Sequence, residues 1–270
     1  MEIKELAKKW EGLNPNTIMK IAEAKEPLVT MATLSLYRYE LLFKQLENTH
    51  KAIKTPLYLC LRVQAAEVMP LAFKIKLVQT LTKYYRAYDL QFTHRNHGSG
   101  VPRNDVVTRA RQHFGTPYIM TLDDDIILPP YAVEVLASIL ERKSQFGAVA
   151  LSCRPPSMTA RLEGDRLLNR PAPKPFGQLD GVGSATMMIR KEVFDKCDLD
   201  KNYYIGWGDM DFCMQMKKAN WKIGYLNIGG YAAYNPNEKN PKYKKIRHNA
   251  EHAKRSWDRF YKKWNVRIGK

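Results

Sequence analysis

Between residues 27 and 153 the chain switches regularly between two kinds of apolar pattern. Segments 27–34, 56–63, 88–95, 118–122 and 147–153 are short apolar runs rich in β-formers. Between them, 37–50, 71–85, 102–114 and 131–143 carry the three-and-four spacing of helices, and Pro102 sits at the start of the third of these. Strands that alternate with helices at this spacing form a mostly parallel sheet with helices on both faces. The expectation is an α/β fold. At 270 residues, 44% apolar and 26% charged, the chain is long enough for one large domain or two small ones.

The flanks differ from this core. Residues 1–26 read as a helical appendage with Ile3, Leu6, Ala7 and Trp10 on one face. Residues 14–17 (NPNT) break it and can cap a second short helix. A strap packed on the main domain is favoured over a separate DNA-reading module. Residues 154–177, rich in Pro and Arg, read as a long irregular loop of the functional kind, mobile until a ligand binds. Near the other end, Ile246, Ala250, Ala253, Trp257, Phe260 and Trp264 recur at steps of three and four, which predicts one amphipathic helix from 245 to 264. The expected parts are 1–26, 27–235 and a basic helical segment, 236–270. Cys60, Cys153, Cys197 and Cys213 lack metal-binding spacing and read as free thiols. Residues 1–10 do not resemble a signal peptide and no long apolar run occurs, so a soluble protein of a cytoplasm-like compartment is expected.

Two carboxylate stretches carry the chemistry. The first, YIMTLDDDIILPP (118–130), ends an apolar strand in Asp123, Asp124 and Asp125. Ligands of open α/β sheets bind beyond the carboxyl ends of the strands. In extended chain Asp123 and Asp125 point to one side, a pair of hard oxygen ligands suited to Mg²⁺ or Mn²⁺. A solvated acidic turn is the plainer alternative. The second stretch, YIGWGDMDFCMQMKKANWKIGYL (204–226), places Asp209 and Asp211 at a helix start, where the helix dipole favours carboxylates.

Taken in order, four segments resemble the family-2 type of inverting glycosyltransferases, which have the GT-A fold. LDDDI resembles that family's DxD motif. GVPRNDVVTRA (100–110) resembles a helix lining the donor site, with Arg103 and Asn104 kept and Pro102 in place of Ala. GVGSATMMIRKEVFDK (181–196) resembles the acceptor side of the donor pocket, and YIGWGDMDFCMQMKKANWKIGY the segment carrying the catalytic base. The likeness spans roughly 27–226 and weakens towards 265. It implies a Rossmann-like domain with a nucleotide-sugar half, 27–125, and an acceptor and catalytic-base half, 126–235. It implies Asp209 as base and a divalent cation on Asp125 and Asp123. It also implies donor contacts from Thr33, Gln64, Arg103, Asp123 and Asp124, with Trp207, Asp211 and Gly183 orienting the segment or meeting acceptor. The chain departs from the family where Gln64 replaces an acidic base-reading residue and Gly208 replaces a Glu. Tyr234 or Asn235 falls where relatives carry a metal-binding His; His248 or His252 is the candidate substitute.

The implied reaction moves a sugar from a nucleotide diphosphate-sugar to a hydroxyl. A non-catalytic binder on the same fold and a nucleotidyltransferase are the alternatives. The second is disfavoured because no Gly-rich, Lys-containing phosphate loop follows the first strand. A net charge of +17, with twelve Lys/Arg against three Asp/Glu from 238 to 270, points to a polyanionic acceptor. A modified base in DNA is slightly preferred over an anionic membrane or glycan, because no segment reads as having the exposed apolar face of a membrane anchor. No protein partner is expected.

Overall fold

The computed structural model describes residues 3, 5, 8, 12–154, 159–171, 173–227, 232–234, 241–247 and 249–269. A short helix, α1 (Pro15–Ala22), opens the continuous part. The Asn14 side chain caps it by accepting from the backbone N–H groups of Asn16, at 2.9 Å, and Thr17, at 3.3 Å. Then come β1 (Val29–Leu36), α2 (Tyr39–Ala52), β2 (Leu57–Gln64), α3 (Leu71–Tyr84), β3 (Ala87–Phe92), α4 (Gly100–His113) and β4 (Tyr118–Asp123). After β4 follow β5 (Ile126–Ile127), α5 (Ala132–Arg142), β6 (Phe146–Leu151), β7 (Cys153–Arg154), β8 (Thr159–Glu163), β9 (Arg166–Asn169), β10 (Phe176–Leu179), β11 (Gly181–Val182) and β12 (Thr186–Arg190). The chain continues through α6 (Gly208–Lys218), β13 (Lys222–Leu226), β14 (Ala232–Tyr234), α7 (Pro241–Arg247), α8 (Ala250–Trp264) and β15 (Arg267–Gly269).

Eight strands form the central sheet in the order β10-β13-β6-β12-β4-β1-β2-β3. The run β4-β1-β2-β3 is parallel, as the alternation requires. The whole sheet is mixed. Strand β12 lies antiparallel between β4 and β6, and β10 antiparallel on β13. The reason is local: β12 starts beside the carboxyl end of β4, where Asp123 N–H donates to the Ala185 carbonyl at 3.0 Å, and must run back from there.

Side chains alternate across the strands, so each face has its own core. Met31, Leu59 and Met120 face α2, α3 and α5, while Ala32, Cys60 and Ile119 face α4, α6 and α8. Ile18 and Ile21 of α1 join the first core; α1 packs on α5, and Arg142 donates to the Gly12 carbonyl at 2.7 Å. The appendage is therefore a strap on the domain. Ile3 is buried there too, while Leu6, Ala7 and Trp10 lie outside the described residues. All four cysteines are buried and unpaired.

Two segments differ from the sequence expectation. The region expected to be an irregular loop contains the β8–β9 hairpin and belongs to a second, four-stranded sheet, β11-β8-β9-β15. Its pairing partners, β11 and β15, come from far along the chain, so local periodicity could not announce it. The basic carboxyl-terminal helix is two helices. Asn249 begins α8, its side chain accepting from the His252 backbone N–H at 3.0 Å.

Candidate active site

The carboxyl ends of β1, β2 and β4 meet at one edge of the sheet, and a cleft of about 90 Å³ opens there, lined by Leu36, Arg38, Gln64, Arg103, Asp123 and Tyr243 among others. A larger cavity, about 370 Å³, lies at the opposite end of the strands among Thr55, Leu57, Lys83 and Arg86. No carboxylate lines it. Asp123 and the strand ends both mark the smaller cleft.

Each member of the aspartate triplet is paired with arginine. Asp123 Oδ1 accepts from Arg103 Nη2 at 2.7 Å. Arg38, just before α2, donates from Nη1 to Asp125 Oδ2 at 2.5 Å and from Nη2 to Asp124 Oδ1. Burial works against the Arg38 charge, but Asp124 and Asp125 outweigh it and hold its pKa above the ordinary arginine value. Burial also pushes the Asp124 carboxyl up to about 7, with Arg38 pulling the other way; Asp125 is raised for the same reasons. The directions agree physically: two buried carboxylates share one guanidinium, and negative charge is in surplus.

That surplus bears on a divalent cation. Asp125 Oδ1 is buried without a hydrogen-bond partner, and three aspartates face two arginines. The residues fit a cation held at Asp125 and Asp123. Among the described residues no three His, Cys, Asp or Glu side chains are placed to hold a metal ion together, so the remaining ligands would be phosphates and water, the usual habit of Mg²⁺. Asp124 is fully buried and gripped by Arg38, so it supports the aspartate turn from behind.

Arg103 joins the two carboxylate stretches. It lies in the first turn of α4, bonds Asp123, approaches the Ser184 carbonyl at 3.4 Å, and feels the charge of Asp209. Burial opposes its charge, yet Asp123 and Asp209 raise its pKa. Asp209, in the first turn of α6, accepts from the Met210 backbone N–H at 2.9 Å and is half-buried. Trp207, the residue just before α6, has the left-handed φ of 62°.

Asp211 lies deeper. It is fully buried and accepts from Tyr203 Oη at 3.2 Å, Gln215 Nε2 at 2.7 Å, Lys263 Nζ at 2.7 Å and Trp264 Nε1 at 2.8 Å. This ties α6 to the Lys-Trp end of α8. Asp211 orients the segment and is closed to an acceptor. Trp207 packs on Trp257, with ring centroids 4.6 Å apart, and on Phe260 at 5.1 Å. Gly183 sits half-buried in the turn leading into β12.

Other positions shift in role. Strand β1 continues two residues beyond its expected end, so Thr33 is buried inside the sheet and Ser35 and Leu36 reach the cleft instead. Gln64 does line the cleft, but its amide is engaged: Nε2 donates to the Gly98 carbonyl at 2.9 Å and Oε1 accepts from the His97 backbone N–H at 2.8 Å. It fixes the 96–99 turn, which packs so tightly on Tyr204 that a Cβ at Gly98 would lie 2.6 Å from that ring. His252 packs on Tyr204 with centroids 4.3 Å apart; His248 and Asn235 lie outside the described residues. Sequence reasoning passed over Arg38. Its only signal was a cation directly after β1, at the sheet edge where three carboxylates gather. Tyr243 of α7 stacks on that arginine at 4.0 Å.

No protein-family model and no curated protein matches the sequence. Solved structures do. S. aureus TarS 1-349, a GT-A-type glycosyltransferase, superposes with a TM-score of 0.53 at 12% identity, covering 76% of this chain and 60% of that one. Its complex with UDP gives 0.53 at 13%, covering 76% and 59%. The chain has the GT-A glycosyltransferase fold. Full TarS matches over 86% of this chain but 42% of its own length, so the chain spans less than two thirds of these neighbours. No helix of the described residues is long and apolar enough to cross a membrane.

Proposed function

We propose that this protein transfers a sugar from a nucleotide diphosphate-sugar to an acceptor hydroxyl, with inversion at the anomeric carbon. The observation that carries this reading is the cleft at the carboxyl ends of β1, β2 and β4, where Arg103 bonds the strand-end Asp123 and also feels the charge of the helix-start Asp209. The UDP complex of TarS supports a uridine diphosphate donor. The Asp209 carboxylate takes the proton of the acceptor hydroxyl as its oxygen attacks the anomeric carbon, while the bond to the diphosphate breaks on the opposite face. Arg103 lies within reach of the departing phosphates and offers them charge-assisted hydrogen bonds. Asp125 and Asp123 would hold a divalent cation, which as a Lewis acid would stabilise the charge growing on the diphosphate. Arg38 keeps the Asp124–Asp125 turn in place during the displacement.

At about 90 Å³ the cleft is smaller than the roughly 300 Å³ that ligand sites enclose at minimum. Tyr243 and Ile246 of α7 form one wall of it. The acceptor belongs with the +17 charge: a hydroxyl presented on an anionic carrier. The test is a panel of nucleotide-sugars incubated with Mn²⁺ or with chelator, read by release of free nucleotide. Metal-dependent release that Asp209→Asn abolishes is the expected result. Binding without release would identify a binder, and release of pyrophosphate from nucleoside triphosphates a nucleotidyltransferase.

A further inference from the structure

Helix α3 carries more apolar surface than the fold uses. Leu77 and Leu81 bury its inner face. On the outer face Leu71 is 72% exposed, Ile75 51% and Val78 41%, a stripe at steps of four and three. Val68, on the turn just before α3, is 48% exposed and extends the stripe, and Phe92 on the edge strand β3 is exposed beside it. Single exposed aliphatics need no explanation, but a contiguous stripe of them marks an interaction surface.

The charge around the stripe is mainly positive, with Glu67 beside Val68 the acidic exception. From Val68 to Arg86 the sequence holds four basic residues, Lys74, Lys76, Lys83 and Arg86, and no acidic one. The ammonium groups of Lys74 and Lys76 lie over the rings of Phe92 and Phe43, at 5.8 and 4.8 Å. Such stems cover apolar surface while their heads stay in water. We infer that α3 docks this protein flat on an anionic lipid bilayer, the aliphatic stripe entering the acyl boundary and the lysines meeting the headgroups.

The observations favour lipid over the other occupants. Aliphatic Leu, Ile and Val neither stack on bases nor pair with phosphates, so nucleic acid leaves the stripe unused. A second copy of the chain would bring like charges face to face across a symmetric contact. A bilayer answers both halves of the pattern, apolar stripe and cationic rim. The position also suits the reaction, a step that rests on the transferase reading. Strand β2 ends at Gln64 in the cleft, and Val68 and Leu71 follow four and seven residues later at the same end of the sheet. Docking therefore sets the cleft rim against the membrane, where the acceptor hydroxyl would be borne on a lipid.

The experiment is co-sedimentation of the full chain with vesicles of phosphatidylcholine alone and of phosphatidylcholine with phosphatidylglycerol. Binding is expected only to the second. The set Leu71→Ser, Ile75→Ser, Val78→Ser should weaken it about tenfold or more, since its apolar contribution is lost. Lys74→Gln, Lys76→Gln, Lys83→Gln should weaken it roughly tenfold as well. Both variants should keep the wild-type melting temperature and nucleotide release without vesicles, because the altered groups are remote from Asp123 and Asp209. Equal binding to both vesicle types, or binding untouched by the serine set, overturns the inference. So does a wild-type dimer that the serine set dissociates, or duplex DNA bound through the lysines with the serine set silent. Vesicle binding as expected, with no donor giving nucleotide release, would uphold docking and end the transferase reading.

Discussion

Arg38 sits between two carboxylates that burial makes costly to ionise, and its removal tests how the site is held together. Arg38→Ala leaves Asp124 and Asp125 without their shared cation; the cost expected for breaking a buried pair is about 3–5 kcal/mol. The measurement is the urea midpoint. Arg38→Lys should restore little, because a single ammonium cannot span both carboxylates as a planar guanidinium does. Asp209 and Asp211 offer a second contrast one helical step apart. Asp209→Asn should keep the melting temperature and lower turnover by roughly 10²–10⁴. Asp211→Asn should instead lower stability by on the order of 3 kcal/mol, because Lys263 loses its buried carboxylate partner. Turnover loss at full stability in Asp211→Asn would reverse the two roles. The sequence exposes why one pair can divide so sharply. Spacing placed both carboxylates on a helix start, but only the arrival of Lys263 and Trp264 from the end of the chain reveals which one is closed off.

Among the elements, α4 and β4 were legible because their signals are local: a proline in the first helical turn, and an apolar run ending in charge. The sheet's antiparallel strand and the small second sheet were not, since their partners lie far along the chain and β-pairing leaves no periodic mark at that distance. Helix α8 shows the same limit for charge. Its basic residues read as a free cationic face, yet Arg259 holds Asp200 at 2.6 Å, and Lys254 and Arg255 pair with Asp258 and Glu251 on their own helix. The Arg259 contact is testable by pH. Burial alone would raise the Asp200 pKa, but the bonds from Arg259 and Asn202 prevail and lower it below the ordinary 3.8. A lowered carboxyl pKa contributes stability that is present above the unfolded value and lost as pH falls through the folded one. Arg259→Gln should therefore cost up to about 1 kcal/mol at pH 7, Arg259 being partly exposed. The difference from wild type should shrink as pH drops below about 4. A gap that stays constant down to pH 2 would show that Arg259 acts through packing and not through the Asp200 charge.

At the scale of the molecule, the two chain ends serve opposite faces of one sheet. Ile3, Leu13, Ile18 and Ile21 fill the core beside α5, whereas Phe260 and Val266 fill the core beside α6. Removing residues 1–25 exposes the aliphatic surface that Ile18 and Ile21 cover. At about 1.5–3 kcal/mol for each fully buried aliphatic side chain, Ile18 and Ile21 together account for about 3–6 kcal/mol. Removing 241–270 is different in kind. It strips the Trp207 ring of Trp257 and Phe260, takes β15 from the second sheet, and leaves Asp211 buried without Lys263 or Trp264. An uncompensated interior carboxylate adds to the lost packing. The expected outcome is a chain lacking 1–25 that unfolds cooperatively at a lower temperature, and a chain lacking 241–270 with no cooperative transition. If the second chain melts as sharply as the first, Asp211 has found other partners and α8 is an accessory to the fold.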